Sequence, residues 1–115
     1  MATILVAEDE PAIRALTVRI LELAGHRVIA CADGASAIAV TEPFDLLLTD
    51  YVLPDMNGQQ LIDHLRSGRP DLPLILMSGY LPDADMPLAQ PAMFLQKPMR
   101  PAVIRDAVEK MLSGR

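Results

Sequence analysis

The chain has 115 residues, 51% of them hydrophobic but only 3% aromatic, with a formal net charge of −5 and a pI of about 4.8. This length suits a single domain with an aliphatic core of Ala, Leu, Val, Ile and Met. The acidic balance and scattered basic residues argue against nucleic-acid binding, which needs clustered Lys and Arg, and the lone cysteine, Cys31, excludes an internal disulfide.

In chain order, Thr3 to Ala7 is a continuous apolar run that predicts a first strand. It meets Glu8-Asp9-Glu10 at once, too soon for a signal-peptide core, and no apolar run approaches the roughly 18 residues of a membrane span. A soluble cytoplasmic domain, not bound to membrane, is the expectation. Pro11 to Ala24 predicts a helix, with Ile13, Leu16, Ile20 and Leu23-Ala24 at helical spacing, Pro11 in the first turn and Gly25 able to close it in the left-handed conformation. His26 to Cys31 reads as the second strand, with no partner evident for His26 and with Cys31 a small buried apolar residue. Asp33 to Thr41 is a short Ala-rich helix. Phe44 to Thr49 reads as the third strand, and Asp50 follows it directly.

Asn57 to Ser67 predicts the next helix, opened by Asn57 and Gln60 at capping-box spacing and burying Leu61, Ile62 and Leu65. His64, beside Asp63 and Arg66, reads as a solvated surface residue. Leu72 to Met77 and Ala92 to Gln96 read as the fourth and fifth strands. The stretch from Ser78 to Gln90 breaks the rhythm: seven of the ten prolines lie between Pro70 and Pro101. Proline disrupts a helix interior, so at most a turn from Asp83 to Ala89 is helical, and the fourth helix is expected to be short or irregular. Pro101 to Leu112 is a last helix with Val103, Ile104, Ala107, Val108, Met111 and Leu112 on one stripe.

Strand alternating with helix implies an α/β fold: one three-layer, doubly wound parallel sheet of five strands with right-handed crossovers and helices on both faces. In such sheets functional groups gather at the carboxyl ends of strands. Glu8 and Asp9 end the first strand and Asp50 the third, and if these strands are neighbours, about 4.8 Å apart, three carboxylates crowd one edge. Like charges that close need a cation, and hard carboxylate oxygens suit Mg²⁺. Ser78 after the fourth strand offers a hydroxyl, and Lys97 after the fifth a positive charge. Together they make a site for a phosphoryl group with its metal. The plainer readings are that Glu8 and Asp9 are helix N-terminal acids, Ser78 a turn residue before Gly79, Pro54-Asp55 and Asn57-Gly58 turn formers, and Phe94 strand core.

Taken in order, Val6-Ala7-Glu8-Asp9-Glu10-Pro11, Asp33-Gly34, Leu47-Leu48-Thr49-Asp50, Leu53-Pro54-Asp55-Met56-Asn57-Gly58, Met77-Ser78-Gly79 and Phe94-Leu95-Gln96-Lys97-Pro98 resemble the receiver domains of two-component response regulators. The resemblance covers residues 1–115, essentially the whole chain, and implies a chemotaxis-regulator-like, flavodoxin-like sheet of order 2-1-3-4-5. It implies that Asp50 is the phospho-acceptor, taking a phosphoryl group from phosphohistidine on a histidine kinase or phosphotransfer protein. Glu8, Asp9, Asp50 and the backbone carbonyl of Val52 would hold Mg²⁺. Ser78 would bond a phosphoryl oxygen, Lys97 would pair with it, and Ser78 and Phe94 would form the switch. The protein would then be a signalling switch in a two-component system or phosphorelay, and no enzyme beyond its own phosphorylation and dephosphorylation.

In the family, Val52 and Tyr80 occupy positions that tune phosphate lifetime; this apolar, bulky pair predicts slow self-hydrolysis. The Ser78 to Lys97 interval is shorter than usual and lacks the Gly turn before the fifth strand. The face formed by the fourth helix, fifth strand and last helix is therefore expected to be remodelled, without the standard dimer through it. No output domain follows in the chain; a stand-alone receiver and a module of a hybrid kinase both remain open. The competing chemistries fit less well. A haloacid-dehalogenase-type phosphatase needs an acid where Val52 stands. A flavodoxin-like cofactor carrier would set its phosphate against Glu8-Asp9-Glu10. A docking-only receiver would not need the acidic, Asp, Ser and Lys set.

Overall fold

Strands buried on both faces need apolar residues at successive positions, and the five runs supply them. The computed structural model describes residues 2–79 and 89–113. Among these the order is β1 (Thr3–Ala7), α1 (Pro11–Leu23), β2 (Arg27–Cys31), α2 (Gly34–Ile38), β3 (Leu46–Asp50), α3 (Gly58–Arg66), β4 (Leu74–Ser78), β5 (Ala92–Gln96) and α4 (Pro101–Ser113). All four strand pairings are parallel and the sheet order is β2-β1-β3-β4-β5, as expected. The expected short or irregular helix between the fourth and fifth strands falls on residues 80–88, outside the described residues. None of the described helices is long and apolar enough to cross a membrane.

Alternation along each strand divides the core into two layers. Leu5, Ala7, Leu47, Leu74 and Leu76 pack with Ala37 of α2 and Leu61 and Ile62 of α3. Ile4, Val6, Leu46, Leu48, Ile75 and Met77 pack with Leu21 of α1 and Ile104, Ala107 and Val108 of α4. Nearly all of these side chains are wholly buried, each contributing about 1.5–3 kcal/mol if aliphatic and large.

Several boundaries shift from the sequence expectation. β3 starts at Leu46 rather than Phe44, because the Asp45 carboxylate accepts the Thr3 N–H (2.8 Å) while its own N–H donates to Thr3 O (2.7 Å). β4 starts at Leu74 rather than Leu72: Leu72 closes a turn onto Arg69 O, and Pro73 has no N–H to give a ladder. At their other ends both strands run further, through Asp50, paired with Met77, and Ser78, paired with Gln96. Asp50 and Ser78 are thus the last residues of their strands, not the first of loops. α2 ends at Ile38, short of the expected Thr41, and Asp33 caps it from outside by accepting the Ser36 N–H at 2.7 Å. Gly25 does close α1, with φ +94°.

The sequence reading left His26 without a partner; the structure corrects this. His26 is buried, its Nδ1 accepts the Ala2 N–H (3.2 Å), and Nε2 lies 2.9 Å from Glu109 Oε1 on α4. With Nδ1 accepting, the proton sits on Nε2 and is donated to Glu109. At the same end of the sheet, the Arg66 guanidinium donates to Leu72 O (2.8 Å through Nη2), to Pro91 O (2.9 Å) and to Ala89 O, pinning the entry to β5.

α3 begins where the sequence expects, with both halves of the Asn57–Gln60 capping box formed. Its first residue, Gly58, presses against the end of β3: a Cβ there would stand 2.6 Å from Asp50 O and 2.7 Å from Leu76 Cδ1. Gly58→Ala must push backbone as well as side chain, and is expected to cost about 1–3 kcal/mol of unfolding free energy in urea melts. A variant as stable as the parent would show that this approach is slack.

Candidate functional site

The strand order makes β1 and β3 neighbours, with Ala7 opposite Thr49, so Glu8 and Asp50 leave the sheet side by side. The helix-forming pattern starts too late to draw the acids into α1: Glu10 is its N-cap and no acid lies in its first turn. Glu8 and Asp9 thus stand just before the N-cap of α1 rather than in its first turn. Glu8 is wholly buried, Asp50 is 4% exposed, and Asp9 is exposed. One oxygen from each lies within 4.8 Å of the others. Glu8 N–H donates to Cys31 O (3.0 Å), Glu8 Oε2 accepts the Glu10 N–H (3.2 Å), and Arg14 Nη1 donates to Glu8 O (2.9 Å). These bonds hold the acidic turn in place.

Lys97 reaches this edge from the end of β5. Its N–H donates to Ser78 O at 2.7 Å, which ties its backbone to the end of β4. Its Nζ stands 2.9 Å from Glu8 Oε1 and 2.5 Å from Asp50 Oδ1. The second contact is a close ion pair. Glu8, Asp9, Glu10, Ile13, Asp50, Val52, Met77, Ser78, Gly79 and Lys97 surround an open cavity of about 180 Å³. Val52 is 65% exposed beside it. Phe94 lies apart, half-buried, opposite Leu76 in the ladder and packed on the α2–α3 side of the core. Tyr80 lies outside the described residues.

The electrostatics follow from two buried carboxylates facing one ammonium. Burial pushes the Asp50 carboxyl up, a hydrogen bond to Glu8 and the Glu8 charge push it further, and Lys97 offsets part, leaving it at about 8. Burial also acts to raise Glu8, but the hydrogen bonds from Asp50, Lys97 and the Glu10 N–H outweigh it and hold Glu8 below its ordinary value. Burial works against the Lys97 charge, and the two carboxylates more than restore it. Without a metal, these effects favour one proton shared by the Glu8–Asp50 pair.

The sequence brings Glu8, Asp9, Asp50, Ser78, Lys97 and Val52 to one edge, and the structure unites all six around one cavity. It adds two residues that sequence reasoning missed. Arg14 braces the acidic turn through backbone carbonyls, and Asp55, read as a turn former, accepts the N–H groups of Gly34 and Ala35, both at 2.9 Å. Nothing in a single sequence announces a carboxylate bonded to backbone about twenty residues away.

The acidic cluster and the lysine lie at the carboxyl edge of a flavodoxin-like sheet, the edge at which open α/β sheets bind their ligands. The chain belongs to the response regulator receiver domain family, whose model matches residues 4–109. The response regulator receiver protein CpdR of Brucella abortus (strain 2308) is 39% identical over 119 residues, covering 97% of this chain and 98% of that protein. The sensor kinase CckA of the same organism is 36% identical over 118 residues, covering 96% of this chain, which spans only 12% of CckA. The crystal structure of the receiver domain from the hybrid histidine kinase CckA superposes with a TM-score of 0.84 at 30% identity, covering 96% of this chain and 98% of that one. The protein is accordingly a phospho-accepting receiver of two-component signal transduction.

The raised Asp50 carboxyl carries a stability prediction with a definite sign. Its folded-state pKa, about 8, lies above the ordinary 3.8, so folding disfavours its ionised form. That penalty is absent below pH ~4, grows as pH rises, and is complete above pH ~8. In metal-free buffer Asp50→Asn should therefore be more stable than the parent at pH ~8.5, by on the order of 1–4 kcal/mol, with the gap closing toward pH ~4. Paired urea melts with chelator check this; a gap that does not change with pH would contradict the shared-proton picture.

Proposed function

We propose that Asp50 is the phospho-acceptor and that residues 1–115 form one receiver module, cytoplasmic and served by a histidine kinase or histidine phosphotransfer protein. The single observation that carries this reading is the contact of Lys97 Nζ with both Glu8 Oε1 and Asp50 Oδ1 at the carboxyl edge of the sheet. In the reaction, an ionised Asp50 oxygen attacks the phosphorus of phosphohistidine. The phosphorus–nitrogen bond breaks, an aspartyl phosphate forms, and the departing imidazole takes a proton. Lys97, already within reach of Asp50, pairs with the incoming phosphoryl oxygens. The Ser78 hydroxyl donates to another, and the Lys97 N–H to Ser78 O bond keeps these two groups together.

Glu8, Asp9, Asp50 and the Val52 carbonyl would hold Mg²⁺. The donor set fits: three carboxylates offer hard oxygens within 4.8 Å of one another. The ion supplies charge neutralisation to the phosphoryl oxygens. Phosphorylation adds roughly −1.5 to −2 charge at a site with one lysine, enough to draw in Ser78 and bias the Phe94 ring between two positions. The domain acts only on its own phosphoryl group, and its output is a protein contact. Nucleic acid has no part in it.

Phosphotransfer profiling tests the assignment. Label should pass from a cognate histidine kinase to the parent chain and not to Asp50→Ala; label retained by that variant, or transfer from no kinase, would overturn it. Lifetime is a separate matter. Val52 is a hydrocarbon at the mouth of the cavity and cannot orient an attacking water, and Tyr80 is bulky. Replacing both by small polar residues should shorten the phospho-Asp50 half-life at least several-fold, as followed by loss of label. An unchanged half-life would remove Val52 and Tyr80 from control of the reaction.

A further inference from the structure

Pro54-Asp55 has the composition of a simple turn, yet the exposed Asp55 side chain does not face only water. Its Oδ1 accepts the Gly34 N–H and its Oδ2 the Ala35 N–H, each at 2.9 Å. Two oxygens of one carboxylate on two successive N–H groups admit essentially one orientation. The same backbone donors hold its pKa below the usual carboxylate range although it is fully exposed. Next to it, the Met56 side chain lies over Gly34: a Cβ on Gly34 would come 2.5 Å from Met56 Cγ, so a larger residue there would make Met56 shift.

These contacts close a circuit around the acceptor site. The Gly34–Ala35 turn follows Cys31, whose carbonyl accepts the Glu8 N–H at 3.0 Å. On the other side, the loop that carries Val52 is closed on itself by Leu53 N–H to Met56 O (3.1 Å) and Gly58 N–H to Tyr51 O (2.5 Å). The loop meets its surroundings through Met56 on Gly34, through Gly58 at the end of β3 and through the Tyr51 N–H to Met77 O bond (2.8 Å); Asp55 adds the charged contact, to the backbone that opens α2.

We infer that Asp55 is a positioning residue for the acceptor site: by gripping the first turn of α2 it sets where Val52 stands relative to Glu8 and Asp9. The inference rests on the metal-binding reading proposed above. It matters because Mg²⁺ tolerates little departure from octahedral geometry, so a loop free to swing holds the ion poorly. Asp55 touches neither the ion nor the reacting atoms; it acts through the loop.

The test uses Mg²⁺ alone, titrated into the parent chain, Asp55→Ala and Asp55→Asn. Hydrogen exchange of the Gly34 and Ala35 amides and thermal unfolding are measured on the same samples. In Asp55→Ala both amides should lose protection and Mg²⁺ affinity should fall about tenfold, while the unfolding midpoint moves by only a few degrees. Asp55→Asn keeps one acceptor oxygen and should fall between. If Asp55→Ala does not fold, the Asn variant decides by the same criteria. Mg²⁺ affinity within about twofold of the parent in a variant whose Gly34 and Ala35 amides have lost protection would overturn the brace and leave the acceptor site intact. A parent chain that does not bind Mg²⁺ would instead overturn the metal site, and the brace with it.

Discussion

Two carboxylates buried at the ends of adjacent parallel strands, with one ammonium between them, are the constraint on which the rest depends. Burying a charge is costly unless it is paired, and Glu8 and Asp50 are both taken out of water by an aliphatic sheet. Lys97 contacts both, and the remaining negative charge favours a proton shared between the two carboxylates. The fold makes this possible only because β1 and β3 are neighbours and β5 lies beyond β4, with the long lysine stem spanning the gap. A different strand order from the same runs would separate the groups.

The arrangement is incomplete by itself, and that is its use. Under the proposed function, a divalent cation would replace the proton and a phosphoryl group would pair with Lys97. The ends are held by the ladder, which runs through Asp50 and Ser78, and by the close approach of Gly58 to the Asp50 carbonyl. The Lys97 side chain is partly exposed, and the Phe94 ring is half-buried rather than locked in the core. Strand ends held in this way would suit the proposed site, which has to hold a metal closely and register a change in charge.

The strands were open to sequence reasoning because they are continuous apolar runs, most of them followed by a polar residue, and their order came with the family resemblance. Glu8, Asp50, Ser78 and Lys97 all declare themselves in that way. The capping box at Asn57 and the left-handed Gly25 are likewise local patterns. What escaped depends on distance in the chain. Asp55 on Gly34, His26 on Glu109 and Arg66 on Leu72, Ala89 and Pro91 are polar groups that find partners only once the sheet has assembled. The boundaries of β3 and β4 moved for a similar reason: Asp45 and Pro73 interrupt the ladder although their neighbours are apolar. The Pro-rich stretch gave a composition argument against a regular fourth helix, and nothing more local than that.

The most direct test of the site is to map where a phosphoryl group lands. The chain would be incubated with a small-molecule phosphoryl donor, with Mg²⁺ or with chelator, and the modified peptide identified by mass spectrometry. An acyl phosphate on Asp50 that requires Mg²⁺ is the expected result. Modification at any other residue, or on Asp50 to the same extent with chelator, would contradict the assignment of Asp50, Glu8, Asp9 and Lys97 to one phosphoryl-accepting site.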